Sequence, residues 1–369
     1  MTVLTILRRA APLAVALGVA ACDVVAFASD PKPIFEQTWS LPTTETSIAV
    51  DQMVPSTVTI YSTPGSNPPD SSAFVLDIDD VVFASRVGDQ CSQCTTLNGT
   101  STTKPAFILT SGSSSPLPTD VVSGAVLGGT VNVSVVNNLS FDPIRVRSLS
   151  NPPQGYMILI VRSGSLVLGR DSIDGGDVAF PAGTTMQRSI PLSTGNVNAP
   201  IAIDLTVNSP QGDHNEFIDA NGRLNTTGVI TSMLAGNVTV NVANKSITNP
   251  AQDIDFGDFG SNVVEARVDM TILNPWSVAG NLQMNFTKHG SSAADVSKAV
   301  TVPAGSTPPT AQQRQVVLQQ TEVRPLVGNK VDLTLTGTMD SPTPIVVTPK
   351  QKITIDNRLV LKVQAGGGQ

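Results

Sequence analysis

Apolar and polar residues alternate along much of this chain, the pattern of strands that bury one face. Valine recurs at every second position over 131–136, and apolar residues do the same over 268–273. Because successive side chains of a strand point to opposite faces, each stretch predicts a strand packed on one side. Beyond residue 30, a helical period is suggested only over 291–300, where one short helical turn is predicted.

The composition favours strands and turns over helices. Gly and Pro number 29 and 27, and only 4% of the residues are aromatic. Frequent turn residues between short β-branched stretches predict an all-β chain of antiparallel sandwiches. Further strands are predicted over 56–62 and 73–85. Since aromatic residues are scarce, Trp39 and Trp276 are both expected in the core.

An internal repeat spans the second half of the chain. Three pairs of stretches align in the same order: 131–140 on 268–277, 178–185 on 300–307, and 203–207 on 331–335. The intervening lengths differ, which loops accommodate at little entropic cost. The repeat predicts two tandem sandwiches of about 100 residues each.

Both copies end their strands and turns with similar residues. Asn137-Asn138 and Asn274-Pro275 are predicted to end the first strand of each copy, because Pro donates no ladder hydrogen bond. In Pro181–Gly183 and Pro303–Gly305, Pro suits the second position of a type I turn and Gly the fourth.

These motifs resemble the late-embryogenesis-abundant group-2 domain, also called the water-stress and hypersensitive-response domain. The resemblance covers roughly 125–210 and 262–340, although Asn138 stands where that family has Pro. It implies an immunoglobulin-like sandwich and a binding or stress-protective role rather than catalysis. The predicted fold is therefore tandem immunoglobulin-like sandwiches preceded by an N-terminal β-rich domain.

The N-terminus has the form of an export signal. Arg8 and Arg9 precede an uncharged apolar run, which is too short to span a bilayer. The four residues Val19–Cys22 resemble the lipobox of bacterial lipoproteins, which implies cleavage before Cys22 and acylation of its thiol. Asp23 resembles an inner-membrane retention signal. An ordinary cleaved signal and an uncleaved helix are the alternatives.

The segments predicted from these features divide the chain into five parts. They are a signal peptide (1–21), a lipid-anchored tether (22–45), an N-terminal β-domain (46–120), sandwich 1 (121–260) and sandwich 2 (261–369).

The charge of the chain argues against nucleic acid as a partner. Residues 1–21 hold two arginines and no acid, so the remainder carries 20 basic and 29 acidic residues, a net charge of −9. Nucleic acids are bound through clustered Lys and Arg, and the sequence contains no such cluster.

Cys91 and Cys94 have the spacing of a disulfide, a redox pair or half a zinc site. Structural zinc requires about four ligands, and a redox pair requires the first Cys at a helix N-terminus. The residues that follow, 95–105, do not predict a helix. Exported compartments oxidise thiols, so we predict a disulfide.

Acidic, Gly-containing stretches are weak candidates for calcium. The carboxylates concerned are Asp171, Asp174, Asp177, Asp253, Asp255 and Asp258. Calcium requires six to eight oxygen ligands, whereas Asp-Gly is also a common hairpin turn. Ordinary turns are the favoured interpretation, and we predict no metal and no cofactor.

Catalytic motifs are absent from the sequence, which contains no nucleophile elbow, dinucleotide fingerprint, P-loop or zinc-protease motif. His214 and His289 are expected in exposed turns. Asp77 and Asp79 are expected on one solvated strand face, although Asp77, Asp79 and His214 are the candidates if the chain is a hydrolase.

The sequence therefore predicts a non-enzymatic structural or adaptor subunit. We expect it outside the cytoplasm, held to a membrane through acylated Cys22, on the periplasmic side of the inner membrane or on the outer membrane. Its expected partners are proteins of a membrane assembly. A carbohydrate- or calcium-dependent binding module, a hydrolase with an unrecognised site, and redox chemistry at Cys91 and Cys94 are the alternatives.

Overall fold

The computed structural model describes residues 35–41, 45–62, 71–148, 154–257 and 262–365. Within them the chain is almost entirely β, with two short α-helices, α1 (Ser92–Thr96) and α2 (Gln320–Val323). The strands are β1 (Phe35–Leu41), β2 (Glu45–Ala49), β3 (Val58–Ser62), β4 (Ser71–Leu76), β5 (Val81–Arg86), β6 (Ser101–Thr103), β7 (Phe107–Ser115), β8 (Val121–Asn138), β9 (Tyr156–Ser163), β10 (Leu166–Asp174), β11 (Thr185–Pro191), β12 (Gly195–Val197), β13 (Ile201–Ser209), β14 (Asn215–Phe217), β15 (Arg223–Val240), β16 (Lys245–Thr248), β17 (Gln252–Asp255), β18 (Val263–Leu273), β19 (Ala279–Lys288), β20 (Val296–Val302), β21 (Ala311–Gln319), β22 (Lys330–Asp340), β23 (Ile345–Val347) and β24 (Lys352–Ala365).

The first sandwich packs two antiparallel sheets face to face. One sheet has the strand order β5-β15-β8-β11, and the other has the order β7-β13-β9-β10. Alternate residues of both sheets are buried, as the sequence predicted. The sheets meet closely at Gly228, where a Cβ would lie 2.0 Å from Ile203 Cδ1, so glycine makes room for the facing isoleucine.

The second sandwich has the same topology. Its sheets run β2-β24-β18-β21, with β1 pairing further along β24, and β17-β22-β19-β20, with β16 pairing further along β22. In the second sandwich β18, β19, β20, β21, β22 and β24 take the places that β8, β9, β10, β11, β13 and β15 hold in the first. The first and third pairs of aligned stretches lie on equivalent strands. The second pair covers equivalent connections, from β10 to β11 and from β20 to β21, although 300–302 still belong to β20.

The pairing of strands differs from the segments predicted along the chain. Residues 46–120 contribute to both sandwiches, since β2 pairs with β24 while β5 and β7 pair with β15 and β13. The last part of the segment predicted as sandwich 1 belongs to the second sandwich, because β16 and β17 pair with β22. In each sandwich, the strands at one edge of each sheet come from residues that precede that sandwich's copy of the repeat. Alternation of apolar and polar residues alone does not reveal which strands pair.

Several local predictions differ from the structure. The stretch 73–85 forms two strands separated by Asp77–Asp80, and 291–300 forms a turn followed by β20. In the first copy the Thr184 amide donates to Pro181 O at 3.2 Å, so Pro181 is the first residue of its turn and not the second. The prediction that the Asn-Asn and Asn-Pro pairs end their strands is confirmed by the ends of β8 and β18.

The two tryptophans have different environments. Trp276 is 2% exposed and belongs to the core, as predicted. Trp39 lies on β1 and is 49% exposed, so the prediction that it fills the core was wrong. β1 pairs only with β24 among the described strands, and all of its residues except Leu41 are exposed.

Candidate functional site

Cys91 and Cys94 form a disulfide with a Cα–Cα distance of 5.2 Å. Cys91 precedes α1, and its Sγ accepts a hydrogen bond from the Cys94 amide at 3.0 Å. The cysteines are 4% and 0% exposed, so the disulfide is shielded from thiols in solution. A helix does follow Cys91, contrary to the sequence interpretation, but burial denies a partner disulfide access to the sulfur.

A lysine lies buried at one end of the first sandwich. Lys104 is 0% exposed, and its Nζ donates to Asp142 O and to Ser209 Oγ, both at 3.0 Å. The ammonium group also lies 5.4 Å from the ring centroid of Phe141. Burial lowers the pKa of Lys104 to about 8, against the opposing effect of nearby carboxylates including Glu216. Nothing in the sequence around Lys104 indicated this position.

Three acidic side chains and a histidine surround this lysine and the cleft beside it. Burial raises the pKa of Glu216. Asp213 accepts from His214 Nδ1 at 2.8 Å and from the Ser148 amide at 2.7 Å, and these bonds lower its pKa to about 2. Asp142 accepts from the Ile144 amide at 2.9 Å. Asp142 and Asp213 therefore mainly hold loop backbone in place.

Lys104 and Ser209 are hydrogen-bonded as in a serine–lysine hydrolase, but their surroundings do not admit a substrate. Both residues are 0% exposed, so a substrate carbonyl cannot reach Ser209 Oγ. An active nucleophile must contact both its base and its substrate. The cleft of about 490 Å³ that includes His214 and Glu216 is lined by neither Lys104 nor Ser209. The pair therefore supports the fold.

The other predicted site residues are dispersed. Asp77 and Asp79 lie exposed in the break between β4 and β5, whereas His214 lies in the first sandwich beside Asp213. His289 is exposed and lies in the second sandwich, just beyond β19. The structure does not place these groups in one catalytic arrangement.

The carboxylates considered for calcium mostly serve local structure. Asp171 pairs with Arg188, whose hydrogen bond lowers the Asp171 pKa. Asp174 and Asp255 each accept from the backbone amide two residues ahead, at 2.7 and 2.8 Å, as in ordinary turns. Asp177 is exposed beside the first turn, and Asp253 lies opposite Asp332 on the next strand.

Several predictions concern residues outside the described ranges. They are the signal peptide (1–21), the acylated Cys22 with Asp23 and the first part of the tether, and Asp258, and they remain predictions. No helix in the described ranges is long and apolar enough to cross a membrane.

The edge strand β1 of the second sandwich carries large, partly exposed apolar side chains. Phe35 and Trp39 of β1 are 61% and 49% exposed. Trp39 lies opposite Leu361, which is fully buried, and residues directly opposite each other share a face of the sheet. The core face of this sheet therefore continues onto β1, where Phe35 and Trp39 are partly exposed. We call Phe35, Gln37 and Trp39 the β1 ledge.

Polar grooves occupy equivalent places on the two sandwiches. The first, of about 490 Å³, crosses β11, β8 and β15, and the second, of about 610 Å³, crosses β21, β18 and β24. The polar residues occupy matching register positions: Asn132, Ser134, Gln187, Ser189 and Thr227 in the first groove; Asp269, Thr271, Gln313, Gln315 and Asp356 in the second. The repeat has thus duplicated a surface as well as a fold.

Comparison with known proteins does not assign the chain to a family. No family model matches it, and no curated protein matches it. The resemblance to the late-embryogenesis-abundant domain therefore stays a prediction.

The solved structures that resemble this chain include the following distant likenesses. A Parabacteroides distasonis protein described as secreted is 12% identical, covers 88% of this chain and 99% of its own, and has a TM-score of 0.30. The structure of the infectious bursal disease virus Gx strain is 8% identical, with 92% and 74% covered and a TM-score of 0.23. A tandem CBM22 domain of Paenibacillus barcinonensis Xyn10C is 9% identical, with 90% and 99% covered and a TM-score of 0.17. Likenesses at this level define neither a family nor a function.

Proposed function

We propose that the chain is a membrane-anchored, extracytoplasmic adaptor that binds another protein through the β1 ledge. The single observation behind this proposal is the exposure of Phe35 and Trp39 on the core-facing side of an outermost strand. Exposed apolar surface beside a sheet edge favours a protein that adds a strand and buries the aromatic rings.

The position of the ledge in the sequence supports a partner at the membrane. Phe35 follows Cys22 by only thirteen residues. A fully extended chain of that length spans at most about 45 Å. If Cys22 is acylated, the ledge stays within that distance of the bilayer surface. An extended segment of a membrane-complex protein is the occupant that we propose.

The buried chemistry agrees with a role without catalysis. Lys104 and Ser209 are enclosed, and the cysteines form a shielded disulfide. The accessible features are instead an apolar ledge and polar sheet faces, which suit binding.

The experiment is a gentle detergent extraction of native membranes, followed by size separation and mass spectrometry of co-migrating proteins. Wild type is compared with a Phe35→Ser/Trp39→Ser double variant and with a matched Phe217→Ser/Val346→Ser control, whose apolar residues are also exposed. We expect a defined complex for wild type and control, and its loss in the ledge variant. A lone wild-type monomer, or a complex retained by the ledge variant, would contradict the proposal. The mass of the N-terminal peptide tests acylation of Cys22 separately.

A carbohydrate-binding module is the second candidate, and the duplicated grooves favour it. Amide, hydroxyl and carboxylate groups repeat at matching positions, and these groups hydrogen-bond sugar hydroxyls. Retention on immobilised cell-wall polysaccharide that falls in a Gln187→Ala/Gln313→Ala variant would support it. Equal elution of wild type and variant, without retention, would exclude it.

A further inference from the structure

Three side chains that can ligate a metal converge on the outer surface of the second sandwich. They are Asp253 on β17, Asp332 on β22 and His289 just beyond β19. One ligand atom from each lies within 4.8 Å of the others. His289 Nδ1 is 3.3 Å from Asp332 Oδ1. The three residues are far apart in the sequence, and only the sheet brings them together.

The strand register fixes this arrangement. β22 lies between β17 and β19, and Asp332 is directly opposite both Asp253 and Thr287. The His289 amide donates to Lys330 O at 2.9 Å, which continues the ladder past the end of β19. This bond holds the imidazole beside Asp332. His289 is two residues beyond Thr287, so its ring lies on the same face of the sheet as Thr287 and the two carboxylates.

The charges at this position favour a bound cation. Like charges directly opposite each other on neighbouring strands are destabilising. Of the two lysines close by, Lys288 pairs with Asp295 at 3.4 Å. Lys330 lies on the same face as Asp332, opposite Asp255 and two residues along β22. A divalent ion between Asp253 and Asp332 would convert this repulsion into attraction.

We propose that Asp253, His289 and Asp332 bind a divalent transition metal, with Zn²⁺ as the representative ion. Zinc binds imidazole nitrogen and carboxylate oxygen at about 2.0–2.2 Å, which separates tetrahedral ligand atoms by about 3.4 Å. The Nδ1–Oδ1 distance of 3.3 Å already matches this spacing. Asp253 is exposed and can rotate to complete the set.

The imidazole decides the class of metal. Calcium and magnesium prefer oxygen ligands alone, whereas imidazole suits zinc, copper, nickel and iron. The calcium interpretation of the acidic stretch 253–258 used three carboxylates close in sequence, so the present site shares only Asp253 with it. Three protein ligands at a solvent-facing surface leave a fourth position for water. The bound ion would also clamp the short strand β17 to β22.

Isothermal titration of the mature protein with Zn²⁺ tests the site. We expect one bound ion, a raised melting temperature, and at least about tenfold weaker binding in His289→Ala. His289 is 66% exposed, so this variant should fold normally. His214→Ala is the matched control, because His214 also lies between two carboxylates, Asp213 at 2.8 Å and Glu216 at 3.7 Å. The control should bind Zn²⁺ like wild type.

Three results would overturn the proposal. The first is absence of Zn²⁺ binding to wild type, and the second is Zn²⁺ binding that His289→Ala does not weaken. The third is Ca²⁺ binding as strong as Zn²⁺ binding, insensitive to His289→Ala and abolished by Asp332→Asn, which would mean a site of carboxylates alone. Loss of Zn²⁺ binding in both His289→Ala and Asp332→Asn, with the His214→Ala control intact, would support the three-ligand site.

Discussion

Asn274 in the second sandwich makes the same set of side-chain hydrogen bonds as Asn137 in the first. Each Nδ2 donates to the carbonyl four residues ahead, at 2.7 Å for Asn274 and 3.0 Å for Asn137. Each also donates to a carbonyl at the Pro-Ala-Gly turn, and each Oδ1 accepts from the amide two residues ahead. Both residues are almost fully buried. The asparagine therefore fastens the end of the first strand to the turn between the two sheets.

Replacing this asparagine should destabilise its sandwich strongly. Asn274→Ala leaves Val278 O and Pro303 O without their donor, and an unsatisfied buried carbonyl costs about 1–3 kcal/mol. We expect a loss of about 3 kcal/mol in the free energy of unfolding, measured by urea denaturation. Asn329→Ala is the control, since Asn329 also donates to two carbonyls but is exposed. A loss as large in the control would refute the role given to burial.

The two Pro-Ala-Gly turns require glycine for different reasons. Gly183 has φ +75° with open space around it, whereas a Cβ on Gly305 would lie 1.8 Å from Asn274 O. Asparagine tolerates positive φ, so Gly183→Asn should lower the free energy of unfolding by less than about 1 kcal/mol. Gly305→Asn should cost about 3 kcal/mol because backbone must move. Chemical denaturation of both variants provides the comparison, and equal losses would disprove the distinction.

The disulfide should contribute modestly to stability. Its loop is very short, and the chain-entropy relation gives about 2 kcal/mol for such a loop. Cys91→Ser/Cys94→Ser should lower the free energy of unfolding by about that amount without abolishing folding. Alkylation of denatured, unreduced protein should leave both cysteines unlabelled. Labelling at Cys91 or Cys94 would show that the thiols are free.

Lys104 should make stability depend on pH on the alkaline side. Its pKa is about 8 in the folded protein, below its value near 10.5 in the unfolded chain. Between these values the unfolded state binds more protons, so the free energy of unfolding should rise with pH. The full contribution is about 3 kcal/mol. Lys104→Met should remove this rise while leaving the response of other groups.

The check is urea denaturation at intervals from pH 7.5 to about 10.5, with wild type and Lys104→Met measured in parallel. Lys350→Met serves as the control for the loss of one positive charge. Wild-type and Lys104→Met curves with equal slopes would mean that Lys104 titrates normally in the folded protein.

The sequence by itself determined the class of the fold and the repeat. Alternating apolar residues predicted the strands around Val131 and Val268, and the matching Asn and Pro-Ala-Gly positions predicted two copies of one topology. These features are local, because the period of the side chains and the shape of a turn depend on near neighbours. The Cys91–Cys94 disulfide was also predictable, since its partners are three residues apart.

Only the tertiary structure decided which strands pair and which side chains meet. β1 and β2 both pair with β24, so the position of Trp39 at a sheet edge depends on pairing between distant segments. Burial of Lys104 and the meeting of Asp253, His289 and Asp332 likewise depend on register between distant segments. Alternation identifies the buried face of a strand but carries no information about its neighbour, and both proposed binding surfaces arise from that choice of neighbour.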